Sequence, residues 1–249
     1  MKVRTITVDF WGTLLFDGPG SDNRYKRVRL TEFERILAAA GTPVGRSALD
    51  RAYEDSADYL SAVWRTHRDV PVEDHVRAIL AAAERRLPER VPPPVLAELV
   101  DAYARPALLV PPTVDDTALA ALRALCDRDY TLALVSNTMR TPGSTLRRLL
   151  AKYQLLECFA HTTFSDEVGV RKPAAEIFNL TLRAVGGEAK SAVHVGDDPV
   201  LDVRGARGAG MRVIQVAHAG SSAPAPQGPD AVIARLADLP GAIAALEAR

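Results

Sequence analysis

Ile6-Thr7-Val8-Asp9-Phe10-Trp11-Gly12-Thr13-Leu14 is the stretch from which the rest of the chain is read. Val3, Ile6 and Val8 form a short apolar run that stops at Asp9, which predicts a buried strand. Gly12 then marks a loop. In open α/β sheets the functional crevice lies beyond the carboxyl ends of the strands. The fold therefore turns on whether later strands also end in reactive side chains.

They do. Strands expected at 130–135, 159–164, 192–195, 211–216 and 231–233 alternate with helices expected at 116–126, 145–153, 173–185, 200–208 and 239–246. That alternation predicts an α/β fold, a Rossmann-like doubly wound parallel sheet. The strand at 130–135 runs into Ser136-Asn137, and Lys172-Pro173 follows the strand after it. The strand at 192–195 runs into Gly196-Asp197-Asp198, with Asp202 five residues beyond Asp197. Singly, these residues say little. An aspartate at a strand exit is more often a helix or turn cap than a catalyst, and a lysine before proline is usually solvated. Their succession at one strand exit after another is what the ordinary readings do not produce.

After the first strand, residues 17–23 form a polar, glycine-bearing linker. From 24 to about 103 the pattern is helical throughout. Leu30, Phe33, Ile36 and Leu37 mark one run, Leu49, Tyr53, Leu60 and Trp64 a second, and Val76, Ile79 and Leu80 a third. Pro92-Pro93-Pro94 opens a fourth, consistent with proline in a first turn. The expected organisation is a core of residues 1–18 plus 106–249, with a helical module at 19–105. Residues 220–229 read as a loop by composition.

The 249 residues are 47% hydrophobic and 25% charged, enough chain for a core that needs no staples. Lys plus Arg number 31 and Asp plus Glu 31, so the net charge is zero and the electrostatic signature of a nucleic-acid binder is missing. No stretch approaches the ~20 apolar residues that span a bilayer, and the N-terminus has no signal-type apolar segment, so a cytoplasmic location is expected. Cys126 and Cys158 form no metal-ligand spacing and are expected to be buried thiols. Trp64, Tyr53 and Tyr59 read as helix packing, and the Arg24-Lys26-Arg27-Arg29 cluster as a solvated helix face or a contact for an anionic substrate. His67, His75, His161, His194 and His218 are scattered, with His194 expected as a satisfied core histidine.

The strand-end residues suit a phosphate ester. A carboxylate can attack phosphorus and form an aspartyl-phosphate. Asp9 and Asp197, facing each other across a crevice, would need a counter-charge, and Mg²⁺ commonly takes one or two carboxylates plus substrate phosphate. Lys172 would offset charge on the phosphoryl oxygens, with Ser136 and nearby backbone N–H groups as further donors.

These motifs resemble the haloacid dehalogenase (HAD) superfamily of hydrolases. The first signature is Ile6-Thr7-Val8-Asp9-Phe10-Trp11-Gly12-Thr13-Leu14 and the second Leu134-Val135-Ser136-Asn137. The third is Val168-Gly169-Val170-Arg171-Lys172-Pro173. The fourth is Val195-Gly196-Asp197 with Asp202, followed by Gly205-Ala206-Arg207-Gly208-Ala209-Gly210-Met211. The resemblance implies a Rossmann-like core, an α-helical cap at 19–105 that shapes the substrate pocket, and Asp9 as nucleophile. It implies Mg²⁺ held by Asp9, the Trp11 carbonyl, Asp197 and Asp202, the last also a candidate to support the metal from behind, as is Asp198. Ser136, Asn137 and Lys172 would bind the phosphoryl group of a small phosphorylated metabolite.

One position departs from the pattern. Family phosphatases carry a second aspartate two residues after the nucleophile, where this chain has Trp11. That acid protonates the leaving group, and its loss should cost ~10²–10⁴ in rate on a poor leaving group. Asp17 is a substitute only if it reaches. A dehalogenase needs no such proton, because halide leaves unprotonated. Those enzymes, however, resemble one another in a Ser-x-Asn arrangement where this chain has Gly196-Asp197-Asp198, and Phe178 lacks a tyrosine hydroxyl. A phosphonatase-type Schiff base would fall to Lys26, the lysine of the cap. A non-catalytic binding or regulatory protein is the third reading, which the joint presence of Asp9, Lys172 and Asp197 opposes.

Overall fold

The computed structural model describes residues 2–217 and 228–248. The loop expected at 220–229 and His218 fall almost wholly outside them. In chain order the strands are β1 (Thr5–Val8), β2 (Leu15–Phe16), β3 (Thr113–Val114), β4 (Thr131–Ser136), β5 (His161–Phe164), β6 (Ala192–Gly196), β7 (Arg212–Val216) and β8 (Ala231–Ile233). The first helices are α1 (Ser21–Ala39), α2 (Arg46–Arg65), α3 (Val72–Ala83), α4 (Leu87–Arg90), α5 (Pro93–Ala104) and α6 (Pro106–Leu109). They are followed by α7 (Ala118–Cys126), α8 (Gly143–Lys152), α9 (Ser165–Val168), α10 (Ala175–Ala184), α11 (Gly205–Gly208) and α12 (Leu239–Glu247).

The main sheet has six parallel strands in the order β5-β4-β1-β6-β7-β8. β1 is central, and every residue of β1 and β6 is buried, as strands covered on both faces must be. Val8 pairs with Leu134 on one side and Val195 on the other, so Asp9, Ser136-Asn137 and Asp197 leave the sheet along one edge. β2 and β3 form a two-stranded antiparallel ribbon that sequence periodicity did not suggest, since two residues are too few to show a period.

Helices α1 to α5 form a separate layer with its own apolar cluster, including Leu30, Phe33, Leu49, Val76, Ile79, Leu80, Leu99 and Tyr103. Leu30, Phe33, Leu49, Val76, Ile79 and Leu80 are among the residues whose helical spacing marked the runs. Arg29 differs from its reading as part of a solvated face: it is 2% exposed. Tyr59 is exposed rather than packed. Cys126 and Cys158 are free and half-buried, not fully buried.

Two helix starts moved for reasons that bear on the site. The helix expected from 173 begins at Ala175, because Asn137 clasps the Lys172 backbone through Nδ2 to the Lys172 carbonyl (3.0 Å) and Lys172 N–H to Oδ1 (2.7 Å). The helix expected at 200–208 is instead a wide π turn, Pro199–Arg204, followed by α11. Asp198 caps that turn, its Oδ1 accepting from the N–H groups of Val200 (2.7 Å) and Leu201 (2.8 Å).

Candidate active site

The first strand supplies Asp9, which is 4% exposed; its N–H donates to the Val195 carbonyl at 2.9 Å. Lys172, 3% exposed, donates from Nζ to Asp9 Oδ1 and, at 2.6 Å, to Asp202 Oδ1. Asp202 Oδ1 also accepts from His194 Nε2 at 2.9 Å, and Asp202 Oδ2 accepts from the Asp198 N–H at 3.0 Å. His194 is fully buried, and its Nδ1 lies 2.8 Å from the hydroxyl of Thr7, its register partner on β1. With Nε2 donating, Nδ1 accepts the Thr7 proton. A continuous chain thus runs Thr7–His194–Asp202–Lys172–Asp9.

Two glycines make the approach of these carboxylates possible. Gly12 has φ +76°, and a Cβ there would stand 2.5 Å from Asp197 Oδ2. At Gly196 a Cβ would stand 2.3 Å from Asp202 Cγ. The π turn carries Asp202 back beneath that strand end.

Burial sets the titration of the cluster, and neighbours modify it. Desolvation pushes the Asp9 carboxyl up to about 8, with Lys172 pulling against the rise and Asp202 adding to it. For Asp202 burial also raises, but Lys172 and His194 outweigh it and hold the group below the usual carboxylate range. Burial works against the Lys172 charge, and Asp202 and Asp9 more than offset it, so the ammonium is held above its ordinary value. Burial and then Asp202 push Asp197 up to about 6.

Oxygens of Asp9, Asp197 and Asp202 all lie within 4.8 Å of one another. This set fits Mg²⁺ in chemistry, being hard carboxylate oxygen throughout. Asp197 in particular suffers like-charge crowding that a cation would relieve. Both Asp202 oxygens already accept protein donors, and so do both Asp9 oxygens, Oδ1 from Lys172 and Oδ2 from the Thr13 hydroxyl at 3.4 Å.

The cluster floors a cavity of about 760 Å³ lined by the sheet edge and by the helical layer. Trp11, Asn137, Asp17 and Asp198 line it, as do Lys26, Arg29, Arg140 and Arg171. Ser136 is fully buried outside that lining, its Oγ donating to the Asn137 carbonyl at 3.3 Å. Trp11 packs edge-on against Phe10 at 4.9 Å, and its indole N–H is buried without a partner among the described residues. Asp17 accepts from the Tyr25 hydroxyl at 2.9 Å, and burial raises its pKa.

The sequence brought Asp9, Asn137, Lys172, Asp197 and Asp202 to notice, and the structure brings all five to one crevice. It missed Asp69, Arg140 and Arg171, whose partners come from distant segments, and it did not connect His194 with Asp202.

The model of the haloacid dehalogenase-like hydrolases matches residues 3–210. The chain belongs to this family. Phosphoserine phosphatase of Thermus thermophilus is 35% identical over 119 residues, 48% of this chain and 46% of that protein. Glyceraldehyde 3-phosphate phosphatase of Pyrococcus abyssi is 34% identical over 97 residues, 39% of this chain and 40% of that one. The matched segments thus span less than half the length of these relatives. Among solved structures, a 2-haloacid dehalogenase of Pseudomonas syringae pv. Tomato superposes with a TM-score of 0.74 at 22% identity, covering 98% of this chain and 99% of that one. A HAD phosphatase of Thermococcus onnurineus gives 0.58 at 21% identity, covering 98% of each chain. Both likenesses speak to the α/β Rossmann-like fold. No helix among the described residues is long and apolar enough to cross a membrane.

Proposed function

We propose that this HAD-like hydrolase is a Mg²⁺-dependent phosphatase of a small phosphorylated metabolite, with Asp9 as nucleophile. The observation that carries the reading is the Lys172 ammonium held between Asp9 and Asp202, with Asp197 beside them on the cavity floor. A nucleophilic carboxylate must be ionised, and burial alone would protonate it. Lys172 opposes that protonation. Asp202 and His194 fix the lysine from behind, and Asn137 fixes its backbone.

Asp9 attacks phosphorus, the bond to the ester oxygen breaks, and an aspartyl-phosphate forms. Water then hydrolyses the acyl phosphate and restores the carboxylate. Lys172 binds the phosphoryl oxygens in both steps, whereas Ser136, expected as a further donor, is fully buried with its hydroxyl spent on the Asn137 carbonyl. Asp9, Asp197 and the Trp11 carbonyl would hold Mg²⁺, which offsets phosphoryl charge when bound. Asp202 acts by orienting Lys172. The helical layer at 19–105 serves as the cap that shapes the pocket. Position 11 offers no acid, so water must protonate the leaving oxygen, and good leaving groups are favoured.

Turnover of p-nitrophenyl phosphate tests this. Asp9→Asn should abolish it, chelation should remove it, and Mg²⁺ should restore it. Unchanged turnover in Asp9→Asn overturns the assignment. Trp11 favours a second reading, 2-haloacid dehalogenation, whose leaving group needs no proton. Halide release from 2-haloacids without metal, and no ester turnover, would decide for it.

A further inference from the structure

Arg29, Arg140 and Arg171 line the same cavity, and their charges are poorly matched by the protein. Buried charges are ordinarily paired with opposite charge. Among the described residues Arg29 donates only to neutral acceptors: the Tyr103 carbonyl (2.9 Å), the Tyr53 hydroxyl (2.8 Å) and the Arg140 carbonyl (2.8 Å). Arg140 does likewise, to Ser56 Oγ (3.1 Å), the Tyr103 hydroxyl (3.2 Å) and the Tyr53 carbonyl (3.3 Å). Arg171, 6% exposed, has one carboxylate partner, Asp69 at 3.3 Å, and its other terminal nitrogen meets the Met139 thioether at 3.6 Å. The other carboxylates acting on this group are engaged elsewhere, Glu54 by Lys26 and Asp17 by Tyr25.

The stacking is as consistent as the missing counter-ions. Guanidinium carbons lie 4.4 Å over Tyr103 (Arg29), 4.1 Å over Tyr53 (Arg140) and 4.4 Å over Trp64 (Arg171). The rings hold the faces and neutral oxygens take N–H groups of Arg29 and Arg140, which leaves their positive charges without a matching anion. His75 reports the combined field: burial first, then Arg140, Arg29 and Arg171 push its pKa down to about 3. A cavity of about 760 Å³ also has room for more than a phosphoryl group.

We infer that this arginine cluster binds a second anionic group of the substrate, a carboxylate carried on the same molecule as the phosphate. The substrate class is then a short phosphorylated acid rather than a phosphorylated sugar or alcohol. This rests on the phosphatase reading, and the test separates the two. The Asp9→Asn protein, which should bind without turnover, is titrated by calorimetry with 2-phosphoglycolate and with ethyl phosphate, which differ by the carboxylate. At least tenfold tighter binding of 2-phosphoglycolate is expected, and adding Arg140→Met should bring the pair within about twofold. In otherwise wild-type protein, Arg140→Met should lower kcat/KM for 2-phosphoglycolate mainly through KM. Should Arg140→Met not fold, the comparison of the two esters on Asp9→Asn decides alone.

Equal affinity for the two esters overturns the arginine assignment, whereas turnover of either ester by the wild type still upholds the phosphatase. No turnover of either ester, with 2-phosphoglycolate still bound more tightly, overturns the phosphatase and keeps the anion site. Acetate or inorganic phosphate binding as tightly as 2-phosphoglycolate would make it a free-anion site and overturn the substrate assignment.

Discussion

On the phosphatase reading proposed above, Trp11 sets the chemistry this site is able to perform. Its side chain occupies the position where a carboxylate would deliver a proton, and its indole N–H is buried without a partner among the described residues. Trp11→Asp should raise kcat on alkyl phosphates by ten-fold or more and change p-nitrophenyl phosphate turnover little, because only a poor leaving group needs the proton. Stopped-assay release of phosphate from both esters measures it; equal gains on both would refute the account. Next to Trp11 and three residues after Asp9, Gly12 makes a different demand. Its φ of +76° strains any L residue, and an added Cβ would meet the Asp197 carboxylate. Gly12→Ala should cost roughly 1–2 kcal/mol in urea unfolding and lower kcat/KM by at least tenfold, since the methyl displaces Asp197. An alanine variant with full activity would show that Asp197 tolerates displacement and has no place at the metal.

In α3, His75 makes stability depend on pH. His75 is 1% exposed; its Nδ1 lies 3.3 Å from the Tyr103 hydroxyl, and its buried Nε2 has no partner among the described residues. Its folded pKa of about 3 lies below the unfolded value, so protonation favours unfolding. The stability is therefore complete above about pH 6.5 and is lost as pH falls from there toward 3. Between pH 6.5 and 5 the loss amounts to about 2 kcal/mol, and His75→Phe should remove most of that slope. Urea unfolding at both pH values checks it, and a variant with an undiminished slope would place the acid sensitivity elsewhere. At this scale the sequence was informative where periods are long. The spacing of Leu30, Phe33, Ile36 and Leu37 marked α1, and the mostly apolar run at 130–135 marked β4. The π turn at 199–204 was not legible, because its geometry follows from Asp202 being drawn to Lys172, His194 and the Asp198 N–H, contacts no local pattern encodes.

For the whole molecule, the helical layer must be joined to the sheet at a place that matters to Lys172. That joint is the loop between α2 and α3. Arg68 bridges Val170 in antiparallel fashion, the Arg171 N–H donates to the His67 carbonyl (3.1 Å), and the Asp69 N–H donates to the Gly169 carbonyl (3.2 Å). The fully buried Asp69 carboxylate gathers donors from both layers: Trp64 Nε1 at 2.9 Å, Ser165 Oγ at 2.5 Å and Arg171 Nη1 at 3.3 Å. The site motifs were legible because each sits beside its own strand end. Asp69 was not, because its partners Ser165 and Arg171 lie 96 and 102 residues away, and nothing near position 69 announces them. Removing one partner of a buried pair leaves the other charge uncompensated, at a cost of about 3–5 kcal/mol. Asp69→Ala should therefore lose about that much in urea unfolding. In native-state hydrogen exchange the amides of residues 69 and 171 should become the fastest of the joint. Activity should fall with it, because the segment released leads directly into Lys172. Asp69→Asn keeps the acceptor for Ser165 and the shape of the joint, but leaves Arg171 without an anion, and should fall between the two. If Asp69→Ala instead unfolds at the wild-type urea concentration with unchanged exchange at 69 and 171, the two layers are held together elsewhere and Lys172 is positioned from within the sheet alone.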